Sequence, residues 1–201
     1  MALANYSDLT AALSSWLNRT DLTGTYDTFI ALFEARANRA LRTPQMEASS
    51  TALPTSNALA LPSDFMEARE VYLSGKYIHG MSPMEMRDTK TRFTSGDPIG
   101  YAIVAQTLVF APPIADTTTV YLNYYQKIPT LTSTNWLMTA YPDAYLYGTL
   151  AAAYDYLRDD TQRDAMLSAS DRIFAEIQRD ASRRRLPAGP LVARNSVYYN
   201  G

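Results

Sequence analysis

The chain has 201 residues, 47% of them apolar, which is enough for a compact fold with a core and a tail. It contains no cysteine, which excludes a disulfide framework, a thiolate nucleophile and a Cys-ligated metal site. Its formal net charge is −2, from 18 basic and 20 acidic residues, so the whole chain exerts no general pull on nucleic acid or anionic membrane.

Taken in chain order, the apolar spacing predicts a first helix over about Tyr6 to Asn18, with Leu9, Leu13, Trp16 and Leu17 on one face and Asn5 or Ser7 as cap. A second helix is predicted from about Thr25 to Arg42, with Tyr26, Phe29, Ile30, Phe33, Ala37 and Leu41 as its stripe and Pro44 as its stop. From Gln45 the period changes. Residues 46–53 and 57–61 read as short strands around Pro54-Thr55-Ser56, and Leu61 to Phe65 as a tight turn. Val71-Tyr72-Leu73 and Tyr77-Ile78 read as a hairpin across Ser74-Gly75-Lys76. Ser82-Pro83-Met84-Glu85 has the capping Ser, first-position Pro and third-position Glu of a helix start, and that helix should end before Phe93. After a turn at Ser95 to Pro98, Tyr101 to Val104 and Thr107 to Phe110 form a strand pair. Val120 to Lys127 is a strong strand with Val120, Leu122 and Tyr124 on one face and Tyr121, Asn123 and Tyr125 on the other. Aromatic residues on both faces predict that both are covered, one of them by a neighbour.

A helix is predicted from Tyr141-Pro142-Asp143 to near Arg158, with apolar residues on both sides. The last helix runs from near Asp160 to about Arg184, with Met166, Ser170, Ile173, Ile177 and Ala181 as its inner stripe. Residues 186–201 contain two prolines and a glycine, yet carry Leu191, Val192, Val197, Tyr198 and Tyr199. They read either as a solvated end or as an arm that orders on a partner. Residues 183–201 hold Arg183, Arg184, Arg185 and Arg194 and no acid, a local charge of +4 that leaves −6 on the rest. These arginines suit either a helix C-terminus or a partner. The simplest fold class is α+β: a helical bundle from residues 1–44 and 130–185, a β-rich insertion with a short helix at 45–129, and an extended C-terminal arm at 186–201. No apolar run is long enough to span a bilayer, and Met1 to Tyr6 lacks the basic and apolar regions of a signal peptide. Asn18-Arg19-Thr20 matches a glycosylation sequon by chance.

The chemistry-bearing residues have plain structural roles. His79, the only histidine, follows a strand and is expected in an exposed loop, with no nucleophile signature to complete a triad. Asp159-Asp160, Glu67 with Glu70, and Glu85 with Asp88 could pair as glycosidase acids. Asp160 and Glu85, however, read as helix-start residues, and Glu67 and Glu70 as flanking a turn. No phosphate-binding or dinucleotide glycine pattern occurs, and neither a cofactor nor a metal is expected. The unusual inventory is 15 tyrosines and an arginine-heavy basic set. Tyr and Arg are enriched at protein interfaces and Lys is depleted there.

Leu61-Pro62-Ser63-Asp64-Phe65-Met66-Glu67-Ala68-Arg69-Glu70-Val71 resembles the L-P-x-D-F-x-E-x-R-x-V segment of the head-to-tail adaptors of short-tailed phages. Tyr141 to Gly148 resembles their Y-P-D-x-x-x-Y-G helix start, Ala151 to Asp160 the A-x-x-Y-L-R-D-D that follows, and Val120 to Pro129 their V-x-L-x-Y-Y strand with its following proline. The resemblance implies a virion structural protein with no enzymatic activity, assembled in the bacterial cytoplasm. It implies a ring, dodecameric in the family, that docks under the portal protein, closes the DNA-filled capsid and supports the downstream tail or nozzle protein. Packaged DNA would pass through without specific binding, and no membrane is involved. The match for a portal-binding arm is Leu186 to Gly201, with Arg183, Arg184, Arg185, Leu191, Val192, Arg194, Tyr198 and Tyr199 as contacts. Tyr121, Tyr124, Tyr125 and Tyr77 are the candidates for inter-subunit or tail contact. Two alternatives stand beside this reading: a DNA-binding packaging factor using the Arg-rich C-terminus, and a carboxylate-dependent glycan hydrolase.

Overall fold

The computed structural model describes residues 3–185. They form an α+β fold of six α-helices and a curled seven-stranded sheet, in two compact units: residues 45–129, and the segments before 45 and after 129.

The helical unit contains α1 (Tyr6–Leu17), α2 (Tyr26–Ala40), α4 (Trp136–Ala140), α5 (Pro142–Leu157) and α6 (Asp160–Arg185). The side chain of Asn5 caps α1 by accepting from the Asp8 N–H, and Asn18 ends it in the left-handed region, at φ 50°. α5 is the centre of the unit, packing on α1, α2, α4 and α6. That is why Ala144, Tyr145, Leu150, Ala151 and Ala153 are buried around much of its circumference. The stripes expected on α2 and α6 are buried as a set, except that Met166 is only partly covered. Phe174, outside the expected α6 stripe, stacks on Phe33 of α2 at 6.0 Å. Trp16 departs from its stripe. It is 50% exposed and leans edge-on against Tyr147 at 6.1 Å.

Two close fits set this packing. Gly148 of α5 lies against the Phe33 ring, and a Cβ there would fall 2.0 Å from the ring edge. The second fit is polar. Glu34 is buried on α2, and its Oε1 accepts from the Leu131 N–H at 2.7 Å and from the Tyr145 hydroxyl at 2.9 Å. The same hydroxyl accepts from Asn135 Nδ2 at 2.6 Å, while Asn135 Oδ1 caps α4 through the Met138 N–H at 2.8 Å. Burial raises the Glu34 pKa above the ordinary carboxylate range despite these two donors, and burial likewise pushes the Tyr145 hydroxyl up. α4 itself is a five-residue helix that the periodicity did not reveal.

The other unit is built on the strands β1 (Glu47–Ala52), β2 (Ala58–Ala60), β3 (Phe65–Leu73), β4 (Lys76–Gly80), β5 (Gly100–Val104), β6 (Thr107–Ala111) and β7 (Val120–Gln126), in the spatial order β1-β7-β3-β4-β5-β6-β2. Two of its hairpin turns carry positive φ at both central residues, Ser74-Gly75 between β3 and β4 and Ala105-Gln106 between β5 and β6. This is the conformation that matches strand twist. A third such turn, Ser56-Asn57, separates β1 from β2, yet those two strands lie at opposite edges of the sheet. α3 (Pro83–Arg92) connects β4 to β5, the only parallel neighbours in this sheet, and starts with the capping box expected at Ser82 and Glu85. Because the sheet curls, Leu59 of β2 and Leu108 and Phe110 of β6 share one core with Val71, Leu73, Ile78, Val120, Leu122 and Tyr124.

Two of the sequence expectations are corrected here. β3 begins at Phe65, so Glu67 and Glu70 lie within a strand instead of flanking a turn. β4 extends to Gly80, so His79 is a strand residue paired with Gly100 and not a loop residue. Both strands run longer than local propensity suggests because each is held by neighbours distant in sequence.

Gly148→Ala is expected to lower stability by about 1–3 kcal/mol in thermal or urea unfolding, because overpacking against Phe33 outweighs the better helix propensity of Ala. An unchanged melting temperature would show that the ring can move aside. Glu34 makes a second, pH-dependent test. Its folded-state pKa is raised, so it contributes fully below the unfolded-state value, and that contribution is lost as pH rises through the folded value. Glu34→Gln keeps an oxygen acceptor but has no charge. Its melting temperature should therefore gain on the wild type as pH rises from the ordinary carboxylate range, about pH 4, toward neutrality. A difference that is flat across that range would show that Glu34 titrates normally.

Candidate docking surfaces

Two regions carry the residues singled out in the sequence. The first is the end of α6. Its inner stripe seats it in the helical unit, and Gln178 Nε2 donates to the Ala40 carbonyl at the C-terminus of α2, at 2.7 Å. Arg183 and Arg184 are exposed. Among the described residues, Arg183 makes a long contact with Asp180, at 3.9 Å. An exposed pair of this kind holds a side chain weakly. Leu191, Val192, Arg194, Tyr198 and Tyr199 lie outside the described residues.

The second region is the outer face of the sheet. The register lines up Thr51 of β1, Tyr121 of β7, Tyr72 of β3 and Tyr77 of β4 as direct cross-strand neighbours. Directly paired residues share a face. Tyr121 is 48% exposed and Tyr77 44%. Tyr72 and Tyr77 meet at 5.6 Å, and Tyr77 stands edge-on to His79 at 4.8 Å. A carboxylate-rich strip runs beside this aromatic row. Asn123 Nδ2 donates to Glu70 at 3.0 Å, and Arg69 bridges to Glu47 at 2.5 Å while its guanidinium lies over the Tyr125 ring at 5.4 Å. Glu47, Ser49, Arg69, Glu70 and Asn123 line a shallow depression of about 340 Å³ there.

The four tyrosines proposed as contacts therefore separate. Tyr121 and Tyr77 are exposed, whereas Tyr124 and Tyr125 are buried by the chain's own groups. The Tyr124 ring stacks on Phe65 at 5.7 Å in the core, and its hydroxyl donates to Asp64 at 3.1 Å. Burial and the hydrogen bond to Asp64 raise its pKa. Tyr124 is covered by the core of the curled sheet, and the Arg69 guanidinium lies over the Tyr125 ring. Tyr72 and His79 were not proposed. The expected hairpin across Ser74-Gly75-Lys76 closes with a two-residue turn, Leu73 pairing with Lys76, which is what sets Tyr72 opposite Tyr77, and their alignment with Tyr121 depends on the distant pairing of β3 with β7.

The paired acids do not converge into a constellation. Asp159, not Asp160, caps α6 by accepting from the Gln162 N–H at 3.1 Å. Asp160 bridges to Arg163 at 2.5 Å. Glu85 is committed to the capping box, and the backbone N–H of Ser82 holds its carboxyl below the usual range. Among the described residues, no three His, Asp or Glu side chains gather as a metal-binding group, and no helix is long and apolar enough to cross a membrane.

Residues 4–194 match the family model of the SU10 adaptor protein. The chain belongs to that family. No curated protein matches it. Membership agrees with the phage adaptor resemblance carried by Leu61 to Val71 and Tyr141 to Asp160, and it makes the chain an adaptor-type structural component of a phage particle. The motif residues of the adaptor are architectural. Pro142 opens α5, Gly148 admits the Phe33 ring, and Asp64 holds the Tyr124 hydroxyl.

Tyr124→Ala should cost about 3–5 kcal/mol of stability, as for other buried aromatics. Tyr121→Ser and Tyr77→Ser should each cost less, about 1 kcal/mol, for the cross-strand ring contacts they lose. Equal effects at all three sites in urea unfolding would remove the distinction between core and surface tyrosines.

Proposed function

We propose that this adaptor works as a ring under the portal protein, where it closes the DNA-filled capsid and carries the next tail or nozzle component. The observation that carries the reading is the family match across residues 4–194, which spans both units and most of the C-terminal segment. In this reading the helical unit is a bundle of N- and C-terminal helix pairs that builds the ring wall, and the β-rich unit faces neighbours or the tail. Residues 186–201 form an extended arm that reaches the portal. Arg183, Arg184 and Arg185 stand at its base, and Leu191, Val192, Arg194, Tyr198 and Tyr199 along it. The ring is a dodecamer built by heterologous contacts, in which two different surfaces of one copy meet around the circle.

The charge distribution supports this arrangement. The body carries −6 once the four arginines of residues 183–201 are set aside. An acidic wall lets DNA slide, because phosphate affinity comes from Lys and Arg. A basic, proline-containing, aromatic arm suits a groove on a partner, and ordering it on docking delays the cost until the partner is present.

Deleting residues 186–201 is expected to leave the melting temperature within a few degrees of wild type and to abolish co-sedimentation with the portal. Electron microscopy of the intact chain mixed with portal should show added ring density at the portal's tail-side face. Portal binding by the truncated chain would remove the arm from the mechanism, and the absence of any complex with the intact chain would remove the adaptor reading itself.

A further inference from the structure

The aromatic row on the outer face of the sheet lacks an occupant in the reading above, and the sequence contains a segment that matches it. Arg183-Arg184-Arg185-Leu186-Pro187-Ala188-Gly189-Pro190-Leu191 places two prolines three residues apart, with an arginine three residues before the first. A polyproline II segment has three residues per turn and rises about 3.1 Å per residue, so a docked segment in that form would bring Pro187 and Pro190 to one edge about 9 Å apart, just beyond the helical end of α6 with its arginines. On the sheet, Tyr121 and Tyr77 are separated by one strand, with Tyr72 between them. At about 4.8 Å per strand, the outer two tyrosines lie about 9.6 Å apart, a close match to the proline spacing. Pro-rich segments dock on exposed aromatic rings because the ligand is already extended and loses little entropy. The charges also match. Glu70 lies two residues from Tyr72 along β3, so a carboxylate stands on the same face beside the aromatic row. The docking segment is cationic at its N-terminal side.

We propose that the row Tyr121, Tyr72 and Tyr77 is a binding site for the arginine-flanked proline segment, residues 183–191, of a second copy of this chain. The prolines pack on the tyrosine rings, and the arginines lie toward the carboxylate of Glu70. In an assembling ring the base of each arm is held on the neighbouring copy, and the portal has to compete for it. This keeps the arm off wrong partners until a tighter site is offered. The site is a property of the chain and its copy, and it stands whether or not the arm later engages a portal.

The test uses a fluorescein-labelled peptide of residues 183–191 and the full-length chain with Pro187→Ala and Pro190→Ala, which disables its own segment and leaves the row free. Anisotropy should show saturable binding, weakened by about tenfold or more when both peptide prolines are replaced by Ala. A similar loss is expected on adding Tyr77→Ser and Tyr121→Ser to the chain, with folding checked by circular dichroism. Should those chain variants unfold, the comparison of the two peptides on the unaltered row decides. No saturation up to about 1 mM would overturn the proposal. So would equal affinity for the proline-free peptide, which would reduce the contact to charge attraction, or binding indifferent to both tyrosines. No portal takes part, so a negative result leaves the adaptor reading standing.

Discussion

Glu34 holds the helical unit together at the point where the chain returns from the β-rich segment. A carboxylate taken out of water is costly unless its oxygens are satisfied. Here one oxygen collects the N–H of Leu131 and the hydroxyl of Tyr145, and Asn135 completes the group by donating to that hydroxyl. Three separate pieces of chain, α2, the return segment and α5, must meet in one arrangement for the donors to find the acceptor. A purely apolar contact could slide, whereas this network has one register. That is the physical sense in which a buried polar group trades stability for specificity.

The second constraint works beside it. Gly148 lets Phe33 approach the α5 backbone, and the Tyr145 ring packs on the same Phe33 at 4.7 Å. The polar network and the aromatic cluster therefore share a residue, Tyr145, whose ring is in the core and whose hydroxyl is in the network. Buried tyrosines fill both roles because the ring is apolar and the tip is not. The same division recurs in the sheet. Tyr124 gives its ring to the core and its hydroxyl to Asp64, while Tyr121, one residue earlier, faces solvent. The tyrosines of this adaptor thus include core residues with a satisfied tip and residues exposed on the outer face of the sheet.

Elements with strong local signals were readable from the residues alone. The capping box at Ser82 and Glu85, the proline that opens α5, the hairpin at Ser74-Gly75 and the alternation along β7 all depend on neighbours within a few positions. Residues whose role depends on a distant partner were misread or carried no signal. Glu67 and Glu70 look like turn residues, Trp16 sits on an apolar stripe yet is half exposed, and nothing local singles out Glu34. The strands β1 and β2 follow each other in sequence and still end at opposite edges of the sheet, because each pairs with a strand more than 40 residues away.

What the sequence determined by itself was the kind of material: helix-forming ends, a strand-forming middle, an acidic body with a basic end, and motifs of an adaptor family. Those properties are local or additive, so they survive without knowledge of the fold. Only the tertiary structure decided which tyrosines are core and which are surface. It also decided which carboxylate is buried, and that Tyr121, Tyr72 and Tyr77 stand in a row. A side chain's exposure is fixed by the strands beside it, and strand pairing joins residues whose separation along the chain carries no local signal.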